Sequence, residues 1–180
     1  MTNIQTDKSR TDAPLNRRDA IAAAAIELLA VQGAWGLSHR AIDKSLQLPM
    51  GSTSYYFRTR QALLEVAEQL VFERDMACML ENTDHSGNIQ SMQLIERWTA
   101  ADMRSTVLAR LELMLEASRN PALKAQMLGH RTQFLENVKA ALAARGTSAD
   151  EASVLASVAQ FEGALLQQLA FGHGHRFGRS

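Results

Sequence analysis

The segment PMGSTSYYFRTRQALLE, residues 49–65, places residues suited to binding anions directly in front of an amphipathic helix. Gly51 and Ser52 are small, so the backbone there can approach a ligand closely. Hydroxyl groups and the positive end of a helix both suit phosphate oxygens. Arg58 and Arg60 follow at the joint, where their side chains can reach further phosphates. The residue types and their spacing therefore predict contact with a phosphate-rich partner.

Three helices are predicted to position these residues. A first helix covers Asn16 to Gln32, and Gly33 provides a stop signal. Ser38 caps a short second helix, and Gln47-Leu48 forms a two-residue turn after it. Pro49 then opens a third helix, because a first-turn residue needs no N–H. This arrangement predicts a helix-turn-helix head with a core of Leu37, Ile42, Leu48 and Phe57.

The third helix of such a head reads the DNA major groove, and the first turn of the second helix lies close by. Arg40 can form a two-pronged contact with a guanine edge, and the tyrosines can reach phosphates or thymine methyl groups. A solvated arginine on an exposed helix face is the alternative for Arg40. The full set of predicted DNA contacts is Ser38, His39, Arg40, Met50, Gly51, Ser52, Thr53, Tyr55, Tyr56 and Arg60.

The stretch AIAAAAIELLAVQGAWGLSHRAIDKSLQLPMGSTSYYFRTRQALL, from Ala20 to Leu64, resembles the head of the TetR-type (TetR/AcrR) regulators. The resemblance rests on the order of helix, glycine, short helix, two-residue turn, Gly-Ser/Thr, aromatic pair and basic-x-x-Leu-Leu. It departs where the family usually has Gly and this chain has Gln47. It departs again at Pro49, where a Ser-type cap is usual, and at Ser54, where Tyr is usual.

Composition fits a helical protein with a locally basic head. The 180 residues are 46% hydrophobic, carry no net charge, and include 3 prolines and 1 cysteine. Residues 1–60 hold 8 Lys and Arg against 5 Asp and Glu, and the sign reverses in the remainder. We expect an all-α fold without a disulfide, and a cytoplasmic protein with neither signal sequence nor membrane contact.

Four segments follow from these patterns. Residues 1–14 are predicted to form a disordered arm and residues 15–60 the helix-turn-helix domain. Residues 61–172 form a ligand-binding and dimerisation domain, and residues 173–180 form a flexible tail. The resemblance implies that the C-terminal helices bind a small molecule and pair two chains.

The last helix, predicted for residues 149–170, is apolar over a wide arc, so it needs packing partners on more than one side. One partner is a second subunit, in a four-helix contact that includes Leu123–Leu142. The alternative is a central helix within a monomeric body. The residues predicted for the dimer interface are Phe134, Val138, Val154, Val158, Phe161, Leu165 and Leu169.

An adaptable ligand site is suggested by methionines scattered through the body. Simple core filling explains them equally well. The predicted pocket consists of Met76, Trp98, Met114, Met127, Arg131 and Phe134, with Glu112 or His130 as further sources of polarity. The effector class is an apolar or amphipathic small molecule.

No pattern of catalytic or metal-binding residues is present in the sequence. There is no Glu-x-x-His pair, no Cys/His zinc spacing and no Gly-rich phosphate loop, so we expect no enzyme activity, metal or cofactor. The interpretation is a ligand-responsive repressor that binds a palindromic double-stranded DNA operator as a homodimer. The alternative is an all-α small-molecule-binding protein or enzyme with a structural head.

Overall fold

Helices account for all regular secondary structure in residues 13–82, 91–144, 146 and 150–172, which are the residues that this computed structural model describes. This confirms the expected all-α fold. The predicted tail and residues 1–12 of the predicted arm lie outside the described residues, whereas Ala13 and Pro14 already belong to the first helix. In chain order the helices are α1 Ala13–Gly36, α2 His39–Ser45, α3 Ser52–Tyr56, α4 Arg60–Glu81, α5 Ser91–Thr99, α6 Ala101–Ala117, α7 Pro121–Ala144 and α8 Glu151–Phe171.

Capping side chains set several of these helix boundaries, and the cap at Ser38 is the one predicted above. The hydroxyl of Ser38 accepts a hydrogen bond from the N–H of Ala41 at the start of α2 (3.2 Å). Thr59 caps α4 in the same way, and Asn120 caps α7 ahead of Pro121. The Ser148-x-x-Glu151 spacing of the sequence also suggests a capping box at α8, but Ser148 lies outside the described residues. Among the described residues, the carboxylate of Asp150 caps that helix (2.7 Å to the Ser153 N–H).

Gly33 breaks the helical geometry of α1 with φ of 67°. The sequence predicted a stop at this residue, and the chain instead kinks there and continues to Gly36. A Cβ atom on Gly33 would lie 3.0 Å from an Oε2 atom of Glu112 on α6. The positive φ therefore favours glycine here, and a Cβ atom would also require the carboxylate of Glu112 to shift slightly.

The start of α3 differs from the prediction. Pro49 does not open the helix; α3 begins at Ser52, and Gly51 precedes it with φ of 91°. The cause is Asp43 on α2, whose carboxylate accepts hydrogen bonds from the N–H of Gly51 (2.7 Å) and the N–H of Thr53 (2.8 Å). These bonds satisfy the free donors of the first turn from outside, so the helix begins where Asp43 can reach.

Gln47, in the turn between α2 and α3, has φ of 53°, a left-handed conformation that costs a residue with a Cβ atom about 1 kcal/mol. Gln47→Gly should relieve this cost and, after glycine's own entropy penalty, stabilise the protein by up to about 1 kcal/mol. Urea unfolding followed by circular dichroism measures the change. Gln47→Ala is the control, because alanine keeps the Cβ atom and should give no such gain.

One apolar core cluster contains side chains from both the head and the body. Leu37, Ile42 and Phe57 are buried in it as predicted, whereas Leu48 is only partly buried. The same core includes Leu113 of α6 and Leu123 of α7. The head therefore packs directly on the helices of the body.

Cys78 is buried in a second core cluster, and burial raises the pKa of its thiol to about 11. The thiol therefore stays protonated near neutral pH and is a poor nucleophile. Among the described residues, no helix is long and apolar enough to cross a membrane. No group of three His, Cys, Asp or Glu side chains in that part of the chain could hold a metal ion.

Candidate functional site

The outer surface of the head carries the polar and aromatic side chains that the sequence singled out. Met50 and Tyr55 are each 82% exposed on either side of the start of α3. Arg40 is exposed in the first turn of α2, and Ser54 and Arg58 are exposed at α3 and directly after it. We refer to these exposed residues together as the head surface, defined by Ser38, Arg40, Met50, Ser54, Tyr55 and Arg58.

Several of the predicted contact residues have positioning roles instead. Nε2 of His39 donates to the carbonyl of Phe57 (2.6 Å), which ties α2 to the end of α3. Thr53 is fully buried, and its hydroxyl donates to Asp43 (2.6 Å). The hydroxyl of Ser52 donates to the Pro49 carbonyl (2.6 Å). The ring of Tyr56 packs edge-on against that of Tyr55, 5.1 Å between centroids.

Asp43 is the residue of the head that sequence reasoning missed. Burial alone would raise the pKa of its carboxyl group, but the hydrogen bonds from Thr53 and Gly51 outweigh it and lower the pKa. The carboxylate is therefore charged at neutral pH and holds three donors in fixed positions. Its signal in the sequence was only an aspartate at the end of a short helix, whereas its partners come after the turn.

Arg60, predicted to contact DNA, is bound to the rest of the chain. Its guanidinium donates to the carbonyl of Ala34 (2.5 Å) and to Oε1 of Glu116 (3.1 Å). The hydrogen bond from Arg60 lowers the pKa of Glu116. Glu112, one turn earlier on α6, accepts from the N–H of Ala34 (3.3 Å). These bonds attach the kink of α1 and the start of α4 to α6.

A cavity of about 260 Å³ lies in the body between α4, α5, α6, α7 and α8. Five of the six predicted pocket residues line it, namely Trp98, Met114, Met127, Arg131 and Phe134. Met76 does not; it packs beside the core of Val138, Val154 and Val158, where its sulfur accepts from Asn137 (3.7 Å). His130 lines the cavity, whereas Glu112 lies at the joint with the head.

Three charged residues that line the cavity, Glu68, Asp75 and Arg110, were not predicted from the sequence, whereas His130 was. Nη1 of Arg110 donates to Oδ2 of Asp75 (2.8 Å), and the guanidinium lies over the ring of Trp98, 4.9 Å from its centroid. Nδ1 of His130 donates to Glu68 (2.8 Å). Burial raises the pKa of Asp75, although the charge of Arg110 opposes this.

The predicted dimer interface is corrected by the burial of its members. Val138, Val154, Val158, Leu165 and Leu169 are buried within the single chain, so they offer no surface to a second subunit. Phe134 and Phe161 line the cavity, with Phe161 edge-on to Trp98 (5.0 Å). The exposed apolar residues of the C-terminal helices form a neighbouring stripe, which we call the outer stripe: Leu128, Leu155, Ala159, Gly163 and Leu166.

Known proteins share this helical geometry. Residues 91–179 match the family model described as "Tetracyclin repressor-like, C-terminal domain". No curated protein matches the chain. A solved structure of a TetR family member from Streptomyces coelicolor A3 is 31% identical, with a TM-score of 0.70 over 89% of this chain and 91% of that one.

Two further solved structures resemble this chain. The multidrug binding protein EbrR, complexed with ethidium, is 30% identical with a TM-score of 0.66, over 89% of this chain and 91% of that one. A Rhodococcus sp. protein assigned to the TetR family is 23% identical with a TM-score of 0.74, over 87% and 89% of the two chains. At that identity, the Rhodococcus structure supports the fold alone.

Proposed function

This chain belongs to the TetR family of transcriptional regulators, and on that premise we propose that it is a homodimeric repressor released from its operator by a small molecule. The observation that carries the proposal is the head surface. Asp43 and His39 hold α3 in place through hydrogen bonds to Thr53 and Phe57. Ser54, Tyr55 and Arg58 remain exposed to solvent. Such a rigid polar helix suits the DNA major groove.

Residues 15–60 are the DNA-binding domain in this proposal, and residues 61–172 are the ligand-binding and dimerisation domain. Tyr55 and Ser54 contact the DNA from α3, while Arg58 and the capped start of α2 at Ser38 contact phosphates. Arg40 lies beside them with no partner among the described residues, so its guanidinium is free to bind a guanine edge or a phosphate. The guanidinium of Arg60 is already bonded to Ala34 and Glu116, so in this proposal Arg60 connects the head to α6 and does not contact DNA.

The outer stripe supports a dimer through α7 and α8. Leu155 and Leu166 are eleven residues apart on α8, which places them on the same face of the helix. Gly163 lies between them, and a Cβ atom placed on it would have no other atom within 4 Å, so a second helix can approach closely there. In the proposed dimer, two heads read half-sites one helical turn apart or a multiple of it.

The cavity supports a ligand-responsive rather than a constitutive regulator. Helix α6 lines the cavity through Arg110, Leu113 and Met114, and the same C-terminal turns bond to the head through Glu112 and Glu116. A ligand that shifts α6 therefore shifts the head. A coupling of about 1–3 kcal/mol changes operator affinity about 5- to 150-fold. The chain acts by binding in this proposal, without catalysis.

Arg40→Ala should weaken operator binding by about 1–3 kcal/mol, or roughly 5- to 150-fold, and relax the preference at one base position. Fluorescence anisotropy on the operator and on single-base variants measures both effects. Arg104→Ala is the matched control, because Arg104 is an exposed arginine on α6 outside the head. Equal weakening on every sequence would instead assign Arg40 to a phosphate.

Footprinting on the DNA that flanks the protein's own gene, at two salt concentrations, tests the proposed function. We expect a two-fold symmetric protected site whose affinity falls as salt rises. If this DNA is unprotected and selection from random sequences also yields no site, the head is structural. The chain would then be a small-molecule-binding protein or enzyme. A separate compound screen can identify the effector, because its binding to the folded protein would raise the protein's melting temperature.

A further inference from the structure

The turn before α3 presents an exposed apolar side chain at the N-terminal end of that helix. Met50 is 82% exposed and lies two residues before Ser52, where α3 begins. In helix-turn-helix proteins, the N-terminal residues of the recognition helix contact the base edges. A single exposed apolar residue is ordinary on a protein surface, so the meaning of Met50 depends on its position and its neighbours.

The backbone on both sides of Met50 is held in place. The carbonyl of Pro49 accepts hydrogen bonds from the N–H (3.1 Å) and the hydroxyl (2.6 Å) of Ser52. On the other side, the N–H of Gly51 donates to the carboxylate of Asp43 (2.7 Å). The side chain of Met50 therefore extends from a fixed point of the chain, and less conformational entropy is lost when it packs against a partner.

Helix α3 has few groups that can distinguish bases by hydrogen bonding. Residues 49–57 include no Arg, Lys, Asn, Gln, Asp or Glu, which are the side chains that make the most selective contacts with base edges. The hydroxyls of Ser52 and Thr53 already donate to other groups of the head. The hydroxyls of Ser54 and Tyr55 remain, but a hydroxyl group can both donate and accept, so it discriminates poorly among bases.

One feature of a base can be recognised without a hydrogen bond. Thymine carries a methyl group at C5 in the major groove, and the other three bases carry none there. A methionine side chain is apolar, flexible and polarisable, so it can pack closely against such a methyl group.

We propose that Met50 is a specificity-determining residue that reads a thymine methyl group in each half-site of the operator. The thymine lies in the major groove beside the start of α3. Arg40, in the first turn of α2, supplies the hydrogen-bonding contact, and Met50 supplies the apolar one. This inference rests on the proposed function in one respect, namely that the head binds an operator.

Synthetic operators in which deoxyuridine replaces thymidine test the proposal, because this change removes the methyl group and keeps the base pairing. Footprinting or selection from random sequences supplies the operator, and each symmetric pair of thymines is replaced in turn. We expect one pair to weaken binding by about tenfold, since burying one methyl group contributes about fourfold in each half-site. Fluorescence anisotropy measures the affinity.

Met50→Ala should reduce the effect of deoxyuridine at that pair to about twofold or less, because the side chain that covers the methyl group is gone. Met50→Leu should retain most of the effect, since leucine is also apolar and of similar size. Leu80→Ala is the matched control, because Leu80 is a 64% exposed apolar residue near the C-terminal end of α4, outside the head. It should leave the effect at about tenfold. Thermal melts confirm that each variant is folded.

Three outcomes overturn the proposal. The first is an operator in which no pair of thymines responds to loss of the methyl groups, and the second is a response that persists in folded Met50→Ala. The third is a response that Tyr55→Ala removes and Met50→Ala does not, which would assign the methyl contact to Tyr55.

The same experiments separate this inference from the regulator function. An operator that is bound with the expected salt dependence but shows no effect of deoxyuridine refutes the thymine contact alone. If footprinting and selection from random sequences yield no site, the regulator function is refuted, and the role of Met50 is refuted with it.

Discussion

Asp43→Ala should abolish operator binding and destabilise the protein by about 3 kcal/mol. The change removes the acceptor for the N–H of Gly51 and for both the N–H and the hydroxyl of Thr53. Thr53 is fully buried, so its donors cannot bind water instead, and each unsatisfied group costs about 1–3 kcal/mol. Urea unfolding measures the stability, and anisotropy on the operator measures the binding.

Asp19→Ala is the control for this change, because Asp19 is exposed on α1. It should leave both stability and DNA affinity close to those of the unmodified protein. If Asp43→Ala unfolds normally and binds the operator normally, the position of α3 does not depend on the carboxylate.

The same residue predicts a pH dependence with a definite sign. The pKa of Asp43 is lowered from its ordinary value of 3.8 on folding, so the charged carboxylate stabilises the protein above that pH. This stabilisation is lost as the pH falls through the lowered pKa. The difference in unfolding free energy between the unmodified protein and Asp43→Ala should therefore narrow in acid. Urea titrations at neutral pH and near pH 3 measure it.

If the proposed dimer forms through the outer stripe, Leu166→Glu should give monomers and lower operator affinity by at least about 100-fold. Leu166 is 48% exposed and is the last residue of the outer stripe on α8, so a charge there would be buried without a partner in the proposed dimer. A monomer binds one half-site at a time and loses the gain in affinity from two linked heads. Light scattering reports the mass, and anisotropy reports the affinity.

Gln160→Glu is the matched control on the same helix, since Gln160 is exposed on a different face of α8 and receives the same charge. It should remain dimeric. Dimers that persist in Leu166→Glu would place the contact between subunits elsewhere. Phe161→Glu does not test the dimer, because Phe161 packs against Trp98 in the cavity.

Local chemistry made much of the fold predictable. The caps at Ser38, Thr59 and Asn120 satisfy donors within three residues of themselves, so the sequence alone indicates where α2, α4 and α7 begin. Gly33 was likewise recognisable as a break in α1. Pro49 misled the prediction because the start of α3 depends on Asp43, which reaches it from another helix.

Periodicity identified the apolar arc of α8 but could not orient it. Both Val158 and Leu155 lie within that arc, yet only Val158 is buried in the chain. The rotation of a helix is decided by the shapes of its neighbours, since ridges of one helix fit grooves of another. The predicted interface therefore included residues such as Val154 and Val158, which are buried within the chain, whereas Leu155 and Leu166 on the same helix are exposed.

The sequence by itself determined the helix-turn-helix head, the family and the all-helical body, because these follow from short-range patterns of caps, turns and apolar spacing. Only the tertiary structure decided which charges meet. Arg60 and Glu116 are 56 residues apart, Asp75 and Arg110 are 35 apart, and Glu68 and His130 are 62 apart. No local pattern encodes such pairs. They arise because packing α4 against α6 and α7 brings these side chains together. Glu68 and Asp75 are buried there, where an uncompensated charge is costly, whereas Arg60 remains partly exposed.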